Sequence, residues 1–225
     1  MGAARCAVCE EEPKKSVVVV FDLYGTLVDW KHAISSFLEF YVSGSAVGEF
    51  FKCDIEKVKS GYKPYKQVLG ECLAEVAAKH NVVVSDELVE AFVLSVAKSP
   101  PFPDTIYGLK LLKKAGYKTC ILSNTDRDLI DVTLSGVKGL VDYVITAEDV
   151  RAYKPNPQAF ERAYKILSIT PEEAIHVSAY IEYDLLPASR LGAKTVLLDR
   201  GLGYDWPIKA KNVVELVNVL EALAE

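Results

Sequence analysis

The chain has a single methionine and, over 225 residues, only two glutamines and five asparagines. Such scarcity of labile side chains is a trait of proteins that work hot. It also lacks any long apolar run: the longest falls far short of the roughly 18 residues that a membrane-crossing helix needs. No apolar signal core stands near the start either, because Glu10, Glu11, Glu12, Lys14 and Lys15 interrupt it. A cytoplasmic protein without a membrane partner is the expectation. A basic patch is missing too. Net charge is −5 and the lysines and arginines are scattered, so no nucleic-acid partner is expected. Cysteine offers no framework, since Cys6, Cys9, Cys53, Cys72 and Cys120 are odd in number and do not repeat. Cys6-Ala-Val-Cys9 is a lone C-x-x-C pair, and zinc or redox use would need partners that the sequence does not place nearby. Residues 1–15 are polar and are expected to form a flexible tail.

What is present is ample apolar material, half of all residues. That suits one large domain, or a core with a smaller insert. The most telling stretch is Val17–Trp30, VVVVFDLYGTLVDW. Its apolar run reads as a strand buried on both faces, the kind found in parallel sheets. Asp22 then stands at the carboxyl end of that strand, where open α/β sheets place their ligands, and Gly25 lets the chain turn. A bland alternative is an Asp that only caps the turn.

For about 70 residues after this strand the pattern is helical. Ile34, Phe37, Leu38 and Tyr41 have the spacing of one helix over Lys31–Val42, and Ala46–Phe51 suggests a second short one. Gly61–His80 holds a third with Pro64 in its first turn, and Ser85 caps a fourth that runs to about Lys98. Ser99-Pro-Pro-Phe-Pro103 closes the segment. Strand and helix then alternate. Helices are expected at Asp104–Ala115, Thr125–Leu134, Pro157–Leu167, Tyr183–Leu191 and Val213–Leu223. Strands are expected at Tyr117–Leu122, Tyr143–Thr146, Ala174–Val177 and Lys194–Leu198. Such alternation means a doubly wound parallel sheet with helices on both faces.

In this frame four strand ends carry polar groups. The first gives Asp22, the second Ser123 and Asn124, the third a loop with Lys154, and the fourth Ser178 and then Asp184. Each has its own bland reading: Ser123 as a helix cap, Lys154 as a solvated loop lysine, Asp184 on an exposed helix face. Together they place a nucleophilic carboxylate, a hydroxyl, a cation and a second carboxylate along one sheet edge.

These residues resemble the four motifs of the haloacid dehalogenase-like (HAD) hydrolase superfamily. Asp22–Thr26 is similar to the Asp-x-x-Gly-Thr nucleophile motif, and Ile121-Leu122-Ser123-Asn124 to the second. Tyr153-Lys154-Pro155 is similar to the third, and His176–Asp184 in part to the fourth. The resemblance covers about Val17 to Arg200. It implies a Rossmann-like HAD core over 16–29 and 100–225, with a helical cap subdomain inserted at 30–99.

Two departures bear on the chemistry the resemblance implies. Phosphatases of the superfamily usually carry an acid where this chain has Tyr24, and a Mg²⁺-binding Asp where it has Ala179. A phenol is a poorer proton donor near neutrality than a carboxyl group. The Asp-x-Tyr-Gly-Thr form is that of the 2-haloacid dehalogenases, which need no metal. The implied catalytic residues are Asp22 as nucleophile, Lys154 as the cation that keeps it ionised, Asp184 beside the hydrolytic water, and Ser123. The implied substrate-binding positions are Tyr24, Gly25, Thr26, Asn124 and Ser178. The implied substrate is a small, anionic molecule. Those dehalogenases also use a cap arginine, and this chain has none between Arg5 and Arg127; Lys31, His32 or Lys63 are the available cations. In the alternative, a Mg²⁺-dependent phosphatase of a small metabolite, Asp22, the Tyr24 carbonyl and Asp184 would hold the ion. A degenerate binding module is the third reading. Oligomeric state stays open.

Overall fold

A computed structural model describes residues 17–223. The 1–15 tail and the Cys6–Cys9 pair lie outside the described residues. The first strand, β1 (Val18–Phe21), leads into four helices: α1 (Trp30–Tyr41), α2 (Ala46–Ser60), α3 (Tyr65–Lys79) and α4 (Asp86–Ala97). Then follow α5 (Thr105–Lys114), β2 (Lys118–Ser123), α6 (Arg127–Thr133), β3 (Tyr143–Thr146), α7 (Ala147–Val150) and α8 (Pro157–Leu167). The chain ends with β4 (Ala174–Ser178), α9 (Leu186–Arg190), β5 (Lys194–Leu198), β6 (Lys209–Ala210) and α10 (Val213–Ala222). No helix among the described residues is long and apolar enough to cross a membrane.

The strands form one parallel sheet in the order β3-β2-β1-β4-β5-β6. The period of two along β1 explains its run of apolar residues. Val19 and Phe21 pack on one face with Leu109, Leu216 and Leu220 of α5 and α10. Val18 and Val20 pack on the other with Phe160 and Ala163 of α8. Both faces are covered, so every position must be apolar. Each such side chain contributes about 1.5–3 kcal/mol by leaving water. The helices α5 and α10 touch closely because Gly108 has no side chain: a Cβ there would lie 2.5 Å from Val213.

The helices α1–α4 bury a separate cluster that includes Ile34, Leu38, Phe50, Leu69, Leu73 and Phe92. This is the inserted helical cap. The chain enters and leaves it side by side, with Val28 bridged to Pro101 and the Asp29 amide donating to the Pro100 carbonyl at 2.8 Å. Asp126 fastens the cap from below. Its two carboxylate oxygens accept from the Tyr65 and Lys66 amides at 2.8 and 2.9 Å, neutralising orphan donors at the start of α3.

Four local differences from the sequence reading have physical causes. Helix α2 runs on to Ser60, because Phe50, Asp54 and Val58 continue its buried stripe. Helix α6 starts at Arg127 rather than Thr125, since Asp126 is extended and its carboxylate serves α3. The helix expected at Tyr183–Leu191 is a π-helical turn over Ile181–Leu185 followed by α9; Pro187 has no N–H to return to the Tyr183 carbonyl. Strand β6 and the single turn α7 are too short to leave a periodic signature. Cys53 and Cys72, 19 residues apart, are joined as a disulfide between α2 and α3.

Replacing Asp126 with alanine strips two amides of their buried acceptor. A lost helix cap costs about 0.5–2 kcal/mol, so the variant should fold with a denaturation midpoint lowered to match. An unchanged midpoint in a urea titration would show that this carboxylate does not hold the cap down.

Candidate active site

The order of strands reverses between β1 and β4, which places a crevice beyond their carboxyl ends. Asp22 follows β1 there, fixed by its amide to the Val177 carbonyl at 3.1 Å. Gly25 turns the chain with φ +85°, and a Cβ at that position would lie 2.1 Å from the Tyr180 hydroxyl. This turn brings Thr26 back under Asp22. Its Oγ1 donates to Asp22 Oδ2 at 2.6 Å and accepts the Ala179 amide at 3.0 Å.

Lys154 comes in from the loop after β3 and α7. Its Nζ donates to Asp22 Oδ1 at 2.9 Å and to Asp184 Oδ1 at 2.6 Å, and the residue is only 2 % exposed. Burial alone would lower this ammonium's pKa, but the Asp184 and Asp22 charges outweigh it and hold the pKa above the ordinary value. Asp184, on the π-helical turn, also accepts from Ser178 Oγ at 3.1 Å. Its pKa is pushed up to about 7, first by burial; the Asp22 charge adds to this and Lys154 opposes it. The side chain of Asn124 grips the lysine's backbone, accepting from the Lys154 amide at 2.8 Å and donating to its carbonyl at 2.9 Å.

Over this network lies a cavity of about 450 Å³, lined by Asp22, Ser123, Asn124, Lys154 and Asp184 from the core side. Ser123 is buried and its hydroxyl has no partner among the described residues. Tyr24 lines the cavity, but its hydroxyl is spent elsewhere. Thr133 Oγ1 donates to the Ala97 carbonyl at 2.7 Å, so the Tyr24 phenol donates to Thr133, 2.8 Å away. Burial raises the pKa of this phenol further. Gly25, Thr26 and Ser178 do not line the cavity; they support the groups that do.

The cap and the π-helical turn supply residues that the sequence reading passed over: Trp30, Phe51, Asp54, Tyr65, Tyr180 and Tyr183. For Asp54 the signal was there, a carboxylate on the same helical stripe as Phe50 and Val58. Of the three cap cations considered, Lys31 reaches the cavity mouth, Lys63 is paired with Glu71 at 2.7 Å, and His32 is outside the lining.

The donor set does not fit a divalent cation well. Each of the four oxygens of Asp22 and Asp184 already accepts a hydrogen bond, and an ammonium group sits between the two carboxylates. Position 179 adds no ligand, and no group of three or more metal-binding side chains occurs among the described residues.

A carboxylate at a sheet's carboxyl edge, a buried lysine, a second carboxylate and a cavity over them make up a hydrolase site. The chain belongs to the haloacid dehalogenase-like hydrolases, whose family model matches residues 17–192. It is 26% identical over 222 residues to (S)-2-haloacid dehalogenase 4A of Burkholderia cepacia, covering 87% of this chain and 96% of that one. It is also 28% identical over 217 residues to the pyrophosphatase PpaX of Bacillus thuringiensis (strain Al Hakam), covering 88% and 87%. Among solved structures, the L-2-haloacid dehalogenase PA0810 superposes with a TM-score of 0.81 at 25% identity, over 91% of this chain and 99% of that one.

Exchanging Lys154 for methionine leaves two buried carboxylates facing each other, and breaking a buried pair costs about 3–5 kcal/mol. Burial and the Asp22 charge, no longer opposed by the ammonium, hold the folded pKa of Asp184 still further above its unfolded value, so this variant loses stability as pH rises. Its deficit against wild type should be larger at pH 8 than at pH 5 in paired denaturation curves. An equal deficit at both would mean that Lys154 does not balance these charges.

Proposed function

We infer that this hydrolase works through a covalent aspartyl ester and acts, without metal, on 2-haloacid-type substrates. The observation that carries the reading is position 24, where a buried phenol bound to Thr133 and raised in pKa stands in the place of a general acid, together with Ala179, which offers no metal ligand. In this reading 16–29 and 100–225 form the catalytic core and 30–99 the cap.

In the first step an Asp22 oxygen attacks the carbon that bears the halogen from the side opposite the halide. A C–O bond forms, the carbon–halogen bond breaks, and the halide leaves with the electron pair. A halide needs no proton on departure, so a phenol bound to Thr133 in the place of a general acid is no handicap. Ser123, whose buried hydroxyl is unpartnered, and main-chain amides of the first turn hold the substrate's carboxylate end. Water then attacks the Asp22 carbonyl carbon and Asp184 takes one of its protons. The acyl C–O bond breaks and the departing oxygen takes the water's second proton, which gives a 2-hydroxy acid and the free Asp22 carboxylate; Asp184 then releases its proton to solvent. Asn124 positions Lys154 rather than the substrate.

A Mg²⁺-dependent phosphatase is the second reading, favoured by the likeness to PpaX. A degenerate binding module would leave unexplained the intact pairing of Asp22 and Lys154. The deciding assay is halide release from 2-chloropropionate in excess EDTA, beside phosphate release from p-nitrophenyl phosphate with Mg²⁺. Halide release that survives chelation is expected, and Asp22→Asn should abolish it. Phosphate release that depends on Mg²⁺, with no halide from any 2-haloacid, would overturn the assignment.

A pH dependence follows as well. Asp184 must be ionised to accept a proton, and burial with the Asp22 charge raises its pKa to about 7 in the free enzyme. Esterification removes the Asp22 charge and leaves Lys154 to Asp184 alone, so in the ester that pKa lies lower. Single-turnover hydrolysis of the ester should slow as pH falls through the acid range, about tenfold per unit well below that pKa. A rate that stays flat as pH is lowered from 8 to the acid limit of folding would remove Asp184 as the base.

A further inference from the structure

The wall that the cap gives the cavity is built differently from the core wall that carries Asp22. Asp54 belongs to it, on α2, and is 7 % exposed. One oxygen accepts from the Tyr65 hydroxyl at 3.0 Å, and among the described residues no lysine, arginine or histidine pairs with it. Among the described residues the Tyr183 hydroxyl, which feels the Asp54 charge, is also buried without a partner, as is Ser123 Oγ in the lining of the same cavity. Unpartnered polar atoms in one cavity's lining mark places where a ligand's polar groups belong.

The surroundings narrow the class. Phe51, Trp30, Tyr65, Tyr180 and Tyr183 present aromatic rings to this space. Four carboxylates line the cavity (Asp22, Asp54, Glu182 and Asp184) against two ammonium groups, and Lys154 is already shared between two of the acids. Lys31 lies at the mouth, 5.7 Å from the centre of the Tyr180 ring. A buried carboxylate with no cation of its own, ringed by aromatic faces, is the environment that organic ammonium groups favour. The volume agrees, since about 450 Å³ is within the range of pockets that hold drug-sized ligands, about 300–1,000 Å³. A three-carbon haloacid would fill only part of it.

We propose that Asp54 is a specificity residue that pairs with an ammonium group at the far end of the substrate, so that the natural substrate is an amino-bearing molecule whose electrophilic carbon lies over Asp22. This rests on the reading of the cavity as the substrate site, and it names the substrate class. Tyr65 holds the Asp54 carboxylate in place, and the aromatic faces exclude water around the cation.

The test is binding, which does not depend on turnover. Benzylammonium, benzyl alcohol and benzoate are titrated against wild type, Asp54→Asn and Glu182→Gln by ligand-observed NMR. Asparagine keeps the size of the side chain and the acceptor for Tyr65 while removing the charge. Benzylammonium should bind wild type at least tenfold more tightly than benzyl alcohol, and Asp54→Asn should not weaken benzoate, whose carboxylate has its own place at Ser123. Asp54→Asn should bring benzylammonium down to the level of the alcohol, and Glu182→Gln should leave the preference standing. The proposal fails if benzylammonium does not bind, if it binds no better than the alcohol, or if Glu182→Gln erases the preference as fully as Asp54→Asn. Should Asp54→Asn not fold, the ¹³C carboxyl resonance of Asp54 in wild type must shift on adding benzylammonium; an unmoved resonance overturns the proposal. Ammonium binding that depends on Asp54, without halide release from any substrate, would sink the dehalogenation reading alone. Halide release without that binding would sink this proposal alone.

Discussion

A lysine ammonium with no access to water, held between two carboxylates, is the interaction on which the rest of this structure depends. Taking three charges out of water is expensive, and their mutual attraction offsets that cost only if every lone pair and proton is matched. Here the matching is complete on the carboxylate side, with Thr26 and Ser178 taking the oxygens that Lys154 leaves. Those five groups come from four places in the chain. Asp22 and Thr26 follow β1, Ser178 ends β4, Asp184 belongs to the turn beyond it, and Lys154 arrives after β3. The parallel register of β1 between β2 and β4 is what brings them to one point, and the grip of Asn124 on the lysine's backbone ties β2 to the same arrangement. The network is thus a consequence of the sheet and a reason for its exact alignment.

The cap depends on that alignment at one remove. Asp126 and Tyr153 fasten α3 and the segment before it, through the Tyr65 and Lys66 amides and the Lys63 carbonyl. Both come from loops at the same sheet edge that carries the site. Tyr24, next but one to Asp22, reaches through Thr133 toward the Ala97 carbonyl at the end of α4. The residues that shape the floor of the cavity are therefore neighbours in sequence of those that hold its roof. Asp22 and Asp184 are buried as a result, and charges there act more strongly on one another.

The sheet, the order of its strands' polar ends and the helical insert were legible in the sequence because each has a strong periodic or positional signal. Strands β3 and β5 and helix α8 stand where alternation and an Asn-Pro start put them. Asp22, Ser123, Lys154 and Asp184 could be set on one edge from topology alone, before any distance was known. What each side chain does there was not legible. Ser178 and Asn124 were read toward the substrate, yet one supports Asp184 and the other positions Lys154, because hydrogen-bond partners far apart in sequence leave no local mark. The odd cysteine count hid the pairing of Cys53 with Cys72. Asp54 was missed because the second helix was cut short at Phe51, and a stripe of period 3.6 cannot be seen once its end is removed.

Position 24 and position 179 together show how such a site trades one kind of charge for another. A metal ion would need further carboxylates around it, and alanine at 179 supplies none; the cation that the two carboxylates do meet is the ammonium of Lys154. An ammonium group offsets one of the two carboxylate charges and is no Lewis acid, so a leaving group receives no help from it. Nor does it receive a proton from Tyr24, whose phenol is raised in pKa and bound to Thr133. In the proposed reading the burden therefore falls on the substrate, whose leaving group must be stable as a bare anion. The catalytic groups select by leaving group rather than by size or charge. Discrimination among molecules that share such a group has to come from elsewhere in the cavity, and the polar atoms still unmatched there are at Ser123, Tyr183 and the carboxylate of Asp54 that has no cation.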